Sequence, residues 1–220
     1  SEDKDGCFSG SAVVKDDKLY LIYTGHNYLT GTKKQEVWEN QNIAISEDGL
    51  RFQKYVKNPV ITTPPSDNST DFRDPKVWFE DGLWYMVLGS QSKKREGRAL
   101  LYYSKDLLDW NYLKVLAKAD LTANEGYMWE CPDYFELNGK KILLLSPQGI
   151  AEEEGRFKNL HQTGYFILSD DGNQVIKSDF YELDSGHDFY ATQTCLTEDG
   201  RRILFAWMDM WKADMQEQAD

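Results

Sequence analysis

Apolar residues fall in short runs of three to five, broken by turn residues, and the runs come in pairs: Ala12-Val13-Val14 with Leu19-Tyr20-Leu21-Ile22-Tyr23, and Lys76-Val77-Trp78-Phe79 with Leu83-Trp84-Tyr85-Met86-Val87. Tyr134-Phe135-Glu136-Leu137 with Ile142-Leu143-Leu144-Leu145 and Thr194-Cys195-Leu196 with Ile203-Leu204-Phe205-Ala206 repeat the arrangement. Between the members of each pair stand hairpin-tip residues, Asp16-Asp17, Asp81-Gly82, Asn138-Gly139 and Asp199-Gly200, so each pair predicts an antiparallel hairpin. The tips recur about every sixty residues, the signature of a repeated architecture. A second marker keeps the same period: Ser46-Glu47-Asp48-Gly49, Ser104-Lys105-Asp106 and Ser169-Asp170-Asp171-Gly172.

Recurring antiparallel units of this length predict an all-β chain, with a β-propeller favoured over a β-sandwich because two independent markers agree. About four blades are expected over residues 1–211, with a polar tail or connector over 212–220. The polar segments Gly31 to Asn40 and Ala151 to Gln162 read as rim loops. In a propeller the innermost strands all run the same way along one axis, so residues at their starts share one face. Just upstream of the tips lie Phe8-Ser9-Gly10-Ser11, Arg73-Asp74-Pro75, Trp129-Glu130-Cys131-Pro132-Asp133 and Asp188-Phe189-Tyr190. Their common place predicts one shared site.

Composition narrows the chemistry. An aromatic share of 14%, with seven Trp and thirteen Tyr, suits sheets and flat recognition surfaces. The formal charge of −12 and the lack of a basic stripe argue against nucleic acid as a partner. No apolar run is long enough for a membrane-spanning helix. Cys7, Cys131 and Cys195 are odd in number and widely spaced, which points to reduced thiols and a cytoplasmic location. His26 and His161 have no partners at metal-ligand spacing, so neither a metal nor another cofactor is expected. Ser1 stands almost on the first predicted strand, and the chain is expected to be an internal fragment.

Glu130 sits among Trp129, Cys131 and Pro132, bulky neighbours of low polarity whose desolvating effect favours the protonated carboxyl that a general acid needs. Asp74 lies between Arg73 and Pro75; the proline biases it toward an extended backbone, and the guanidinium favours a carboxylate able to accept hydrogen bonds from sugar hydroxyls. Phe8 and Trp207 offer aromatic faces to a sugar ring, and Ser9 offers a hydroxyl. Tyr190 and Asp188 are placed to orient the acid or line the pocket. Cys131 either joins that lining or is a small buried hydrophobe, and His187 reads as a loop residue.

Two carboxylates on converging strands among aromatics suggest glycoside hydrolysis. The segments Phe8 to Ala12, Phe72 to Trp78, Tyr127 to Asp133, Ser146-Pro147-Gln148-Gly149, Asp188 to Ala191 and Arg201 to Met208 together resemble family 32 of the glycoside hydrolases, the β-fructofuranosidases, and within it the bacterial sucrose-6-phosphate hydrolase type. The resemblance implies a five-bladed propeller and retaining cleavage of a β-linked fructofuranoside, a small carbohydrate substrate. It makes Glu130 the acid and base, Asp74 a stabiliser of the transition state and Arg73 a support for both. Phe8, Ser9, Cys131, Tyr190 and Trp207 would line the fructose subsite.

The chain departs from the family at one decisive point. The family's nucleophilic Asp lies in an Asn-Asp-Pro-Asn segment on its first blade, and the lone Asn-Pro here, Asn58-Pro59, lacks that Asp. A first blade and the family's C-terminal β-sandwich are therefore expected to be missing, leaving these residues alone inactive and their strand edges open to self-association. The rival readings are an inverting arabinan-type propeller glycosidase and a carbohydrate-binding propeller without an acid. Arg156, Lys158 and His161 are candidate contacts for a substrate phosphate, set against a plainly solvated loop face.

Overall fold

The structure is a computed structural model that describes residues 1–29, 36–170 and 175–211. The described residues contain no helix and form four antiparallel sheets. The first sheet holds β1 (Gly6–Lys15), β2 (Lys18–Tyr28), β3 (Val37–Ser46) and β4 (Gln53–Lys54). The second holds β5 (Asn68–Glu80), β6 (Leu83–Ser92), β7 (Gly97–Ser104) and β8 (Trp110–Lys118). In the third, β9 (Met128–Leu137), β10 (Lys140–Gln148), β11 (Gly164–Asp170) and β12 (Val175–Lys177) follow in order, and β13 (Tyr181–Glu182) also pairs with β11. β14 (Tyr190–Leu196) and β15 (Arg202–Trp207) make the fourth, two-stranded among the described residues. The sheets are successive propeller blades: their first strands, β1, β5, β9 and β14, pack side by side in chain order.

Three of the four predicted tips are two-residue turns with both residues at positive φ: Asp16 and Asp17 at 50° and 57°, Asp81 and Gly82 at 50° and 81°, Asn138 and Gly139 at 52° and 73°. That geometry matches the twist of the flanking strands. The fourth is a wider loop, because pairing stops at Leu196 and Arg202 and Thr197 bonds across the opening to Arg201. The second marker is a turn built by side chains. Ser46 Oγ accepts from the Asp48 and Gly49 amides while Asp48 Oδ1 accepts from Leu50 and Arg51, and Ser104 with Asp106 repeats all four bonds on residues 106–109. The third copy runs into residues outside those described.

The second sheet is buried on both faces, and strand alternation divides its residues between two cores. Met86, Leu88, Leu100 and Tyr102 join Ile22, Ile43 and Phe72 in one; Val87, Ala99 and Leu101 join Trp129, Leu143 and Phe166 in the other. Close approach of the second and third sheets needs glycine at two positions. A Cβ on Gly89 would lie 2.3 Å from the Trp129 carbonyl, and one on Gly97 would lie 2.4 Å from its indole.

Two expectations need correction. Residues 37–40 of the supposed rim loop belong to β3, where Glu39, Asn40, Gln41 and Asn42 are buried; they read as loop because a strand that carries an internal polar network lacks an apolar run. Residues 31–35 of that loop, like the tail from 212 on, lie outside the described residues. Asp74 is not extended: its φ is 62°. The segment from Ala151 to Gln162 runs outside the named strands, as predicted. No helix among the described residues is long and apolar enough to cross a membrane.

Candidate active site

The φ of Asp74 belongs to a device that recurs in every sheet. Between Arg73 and Lys76 two residues of β5 oppose one of β6, and the same two-against-one slip occurs after Cys7 in β1, Glu130 in β9 and Tyr190 in β14. Such a bulge re-aims side chains at the end of a strand. Its first residue is left-handed in three copies: Asp74 at 62°, Cys131 at 49° and Ala191 at 54°. Arg73 is therefore the counterpart of Glu130 and Tyr190, while Asp74 is the counterpart of Cys131. The register that equates Asp74 with Glu130 is one residue out, as the shared proline in Arg73-Asp74-Pro75 and Glu130-Cys131-Pro132 already marks.

At the bulges the side chains converge. Glu130 is buried, and both its oxygens are engaged: Oε1 accepts from Arg73 Nε at 2.9 Å and Nη2 at 2.8 Å, and Oε2 accepts from Gln148 Nε2 at 2.8 Å and the Tyr190 hydroxyl at 2.5 Å. These surroundings are polar, unlike the apolar pocket read from the flanking Trp129 and Cys131. Trp129 turns into the core and donates its indole N–H to the Glu125 carbonyl. The other edge of the Arg73 guanidinium donates from Nη1 to Asp71 at 2.9 Å and to Glu39 at 3.1 and 3.3 Å.

Asp74 receives no hydrogen bond from Arg73, contrary to the pairing read from their adjacency. Its Oδ2 accepts from the Cys131 amide at 2.9 Å, and its own amide donates to Thr24 Oγ1 at 3.1 Å. Burial pushes its pKa up against the pull of Arg73, and Glu130 adds to the push, to about 6. With Ser9, Gly10, Pro75, Cys131, Ala191 and Gln193 it lines a cavity of about 260 Å³ between the first strands of all four sheets. Burial also drives the Cys131 thiol well above its ordinary pKa, so it offers packing and a backbone donor rather than a nucleophile.

The aromatics stand around this opening. Phe8 is partly exposed and stacks on His26, ring centroids 4.3 Å apart. Trp207 pairs in register with Tyr190, and Trp211 touches both rings, at 5.4 Å from Trp207 and 5.3 Å from Tyr190. Asp188 stays behind the site, beside His187 at 3.2 Å, with its amide on Asn159. Of the three candidate phosphate contacts only His161 reaches the cluster, 5.9 Å from the Tyr190 ring; Arg156 turns to Phe157 and the Phe180 carbonyl, and Lys158 is exposed.

Three participants were given no role from the sequence. Gln148 lies in a segment quoted for its resemblance but given no role. Glu39 and His26 sit on β3 and β2 rather than on a first strand, and the period that found the others does not reach them. Together the residues form a carboxyl able to exchange a proton from a fixed position, beside a second carboxyl facing a cavity of monosaccharide size.

The whole chain, residues 1–220, matches the model of the glycosyl hydrolases family 32 N-terminal domain. It is 46% identical to the sucrose-6-phosphate hydrolase of Bacillus subtilis over 210 residues, 94% of this chain and 43% of that protein. It is also 46% identical to the raffinose invertase of Escherichia coli, over 99% of this chain and 45% of that protein. A solved β-fructofuranosidase of Bombyx mori, bound to sucrose, superposes with a TM-score of 0.86 at 46% identity, over 97% of this chain and 45% of that one. The chain spans a little under half the length of these relatives. With the propeller, the convergent carboxyls and a full-length match in agreement, this chain belongs to family 32 of the glycosyl hydrolases.

Proposed function

We propose that the protein carrying this chain hydrolyses β-fructofuranosides such as sucrose or its 6-phosphate, with net retention, through Glu130 and Asp74. The observation that carries the reading is the encirclement of Glu130 by Arg73, Gln148 and Tyr190 next to the cavity that Asp74 lines. Glu130 donates its proton to the glycosidic oxygen as the bond to the anomeric carbon breaks and a nucleophilic carboxylate bonds to that carbon. The Glu130 carboxylate then takes a proton from water, which displaces the enzyme carboxylate and releases fructose. Asp74 accepts hydrogen bonds from fructose hydroxyls, which strengthen as the ring becomes cationic. Phe8, Ser9, Cys131 and Trp207 shape the subsite, and Tyr190 holds the acid.

The nucleophile is assigned to a preceding blade of the propeller, outside these residues. The 1–211 segment is accordingly a partial catalytic domain that binds but does not turn over. The free thiols of Cys7, Cys131 and Cys195 support a reducing, cytoplasmic setting.

The test is an assay of sucrose and sucrose 6-phosphate with a polypeptide carrying this chain and the preceding blade, beside residues 1–220 alone. The longer protein should release fructose, and Glu130→Gln should lower kcat by about 10³-fold or more. Cleavage that survives Glu130→Gln unchanged overturns the proposal.

A further inference from the structure

We infer that Glu39 is a positioning residue for this reaction, one that aims Arg73 at Glu130 and balances its charge; the inference rests on the function proposed above. Glu39 lies on β3, the third strand outward in the first sheet, yet it is only 3% exposed. A carboxylate so deeply buried persists only where partners replace its water. It has them on both sides of the gap between sheets: His26 Nδ1 on β2 at 3.3 Å, the Phe72 amide on β5 at 2.7 Å, and Arg73 Nη1 at 3.1 Å. None of these bonds is needed to pair β3 with its neighbours.

The geometry assigns the role through Arg73. A guanidinium is a rigid plane, so holding one edge fixes the opposite edge. Glu39 and Asp71 hold the Nη1 edge, and the Nε and Nη2 edge then meets Glu130 Oε1 with both bonds under 3 Å. Without Glu39 the Nη1 edge keeps one half-buried partner, Asp71, and the plane is free to turn about it.

The charges point the same way. Facing the site are His26 on β2, Asp71, Arg73 and Asp74 on β5, Glu130 and Cys131 on β9, and Tyr190 on β14. Arg73 favours the ionised form of any carboxyl beside it, and Glu39 offsets part of that effect. Removing the Glu39 charge leaves Asp71 as the one carboxylate on the Nη1 edge and lets more of the cation's field fall on Glu130.

The test uses the longer protein with two substrates, sucrose and p-nitrophenyl β-fructofuranoside. The second leaves as a stabilised phenolate and needs little help from an acid. Glu39→Gln should lower kcat/KM for sucrose about 100-fold and for the aryl fructoside less than about 5-fold. The alkaline limb of the sucrose pH profile should move to lower pH. Equal losses on both substrates with the limb unmoved overturn the inference, since a merely structural role lowers both alike. Should Glu39→Gln not fold, Glu39→Asp, whose shorter reach loosens Arg73, is read in the same way, and failure to discriminate between the substrates overturns it equally. A wild-type protein that cleaves neither fructoside refutes the functional reading instead.

Discussion

Arg73 and Glu130 hold the same place in neighbouring blades, each one residue before a bulge, and their side chains meet there in a forked ion pair at 2.9 and 2.8 Å. One repeated position has thus been given opposite charges in adjacent copies. A lysine at 73 keeps the charge and loses the fork. Arg73→Lys should lower kcat/KM on sucrose about 100-fold and destabilise by about 2 kcal/mol, since Glu39 and Glu130 then share fewer buried donors. Steady-state kinetics of the longer protein and urea unfolding of this chain measure the two effects.

Tyr190 is fully buried, and its hydroxyl lies 2.5 Å from Glu130 Oε2 and 3.1 Å from the Ser146 carbonyl. Tyr190→Phe keeps the ring and removes the hydroxyl. We expect kcat on sucrose to fall about 10- to 100-fold while stability falls by about 1.5–3 kcal/mol, the scale of one hydrogen bond to a charged group. A thermal melt recorded beside the kinetics separates the two.

Asp74 gives the fold a pH dependence of definite sign. Its folded pKa of about 6 lies above the 3.8 of an ordinary aspartate, so the native state holds a proton that the unfolded chain releases earlier. Its stabilising contribution is full below the unfolded value and is lost as pH rises through about 6. Asp74→Asn abolishes that loss, and should be more stabilised relative to wild type at pH 7.5 than at pH 4, by up to about 3 kcal/mol. Urea denaturation of both proteins across pH 4 to 7.5 checks it; an Asn variant that gains nothing at the higher pH contradicts the argument.

Gly89 stands opposite Arg73 in register, with room for a Cβ closed off by the Trp129 carbonyl at 2.3 Å. Gly89→Ala must push the second and third sheets apart at the point where Arg73 meets Glu130. We expect a loss of about 1–3 kcal/mol and weaker fructose binding, measured by unfolding and by calorimetry. Gly139, also at positive φ but with open space around it, is the control: Gly139→Ala should cost about 1 kcal/mol and leave fructose binding unchanged.

Strand pairs, turns and blade order were legible because each rests on a local cause: alternation for burial on two faces, Asp-Gly and Asn-Gly for the left-handed turns, Ser and Asp for the capped corners. Glu130 and Tyr190 were legible through their common place in the repeat, and Asp74 through a place one residue further along it. Glu39 was not, because its partners Phe72 and Arg73 are 33 and 34 residues downstream, on another sheet, and a polar run such as Glu39-Asn40-Gln41-Asn42 looks solvated until those partners are in place. The wide loop at Asp199-Gly200 was misread for a related reason. A dipeptide names a tight turn only where the flanking strands pair up to it, and here Thr197 and Arg201 bond to each other across a longer opening.

The repeated bulge uncouples two jobs that one strand must otherwise do together. Beyond it, toward the hairpin tips, ordinary alternation keeps Val77 packed in one core and its equivalent Tyr134 against the other. At and just ahead of it the phase is reset, so the residues at 73 and 74, 130 and 131, or 190 and 191 turn from the cores to one another around the cavity. Arginine, glutamate and tyrosine have each been installed at one such socket while the barrel of hairpins beneath stayed the same. Reagents can thus be exchanged at these sockets with the scaffold left alone, which makes them the first positions to vary in redirecting such a protein toward another sugar.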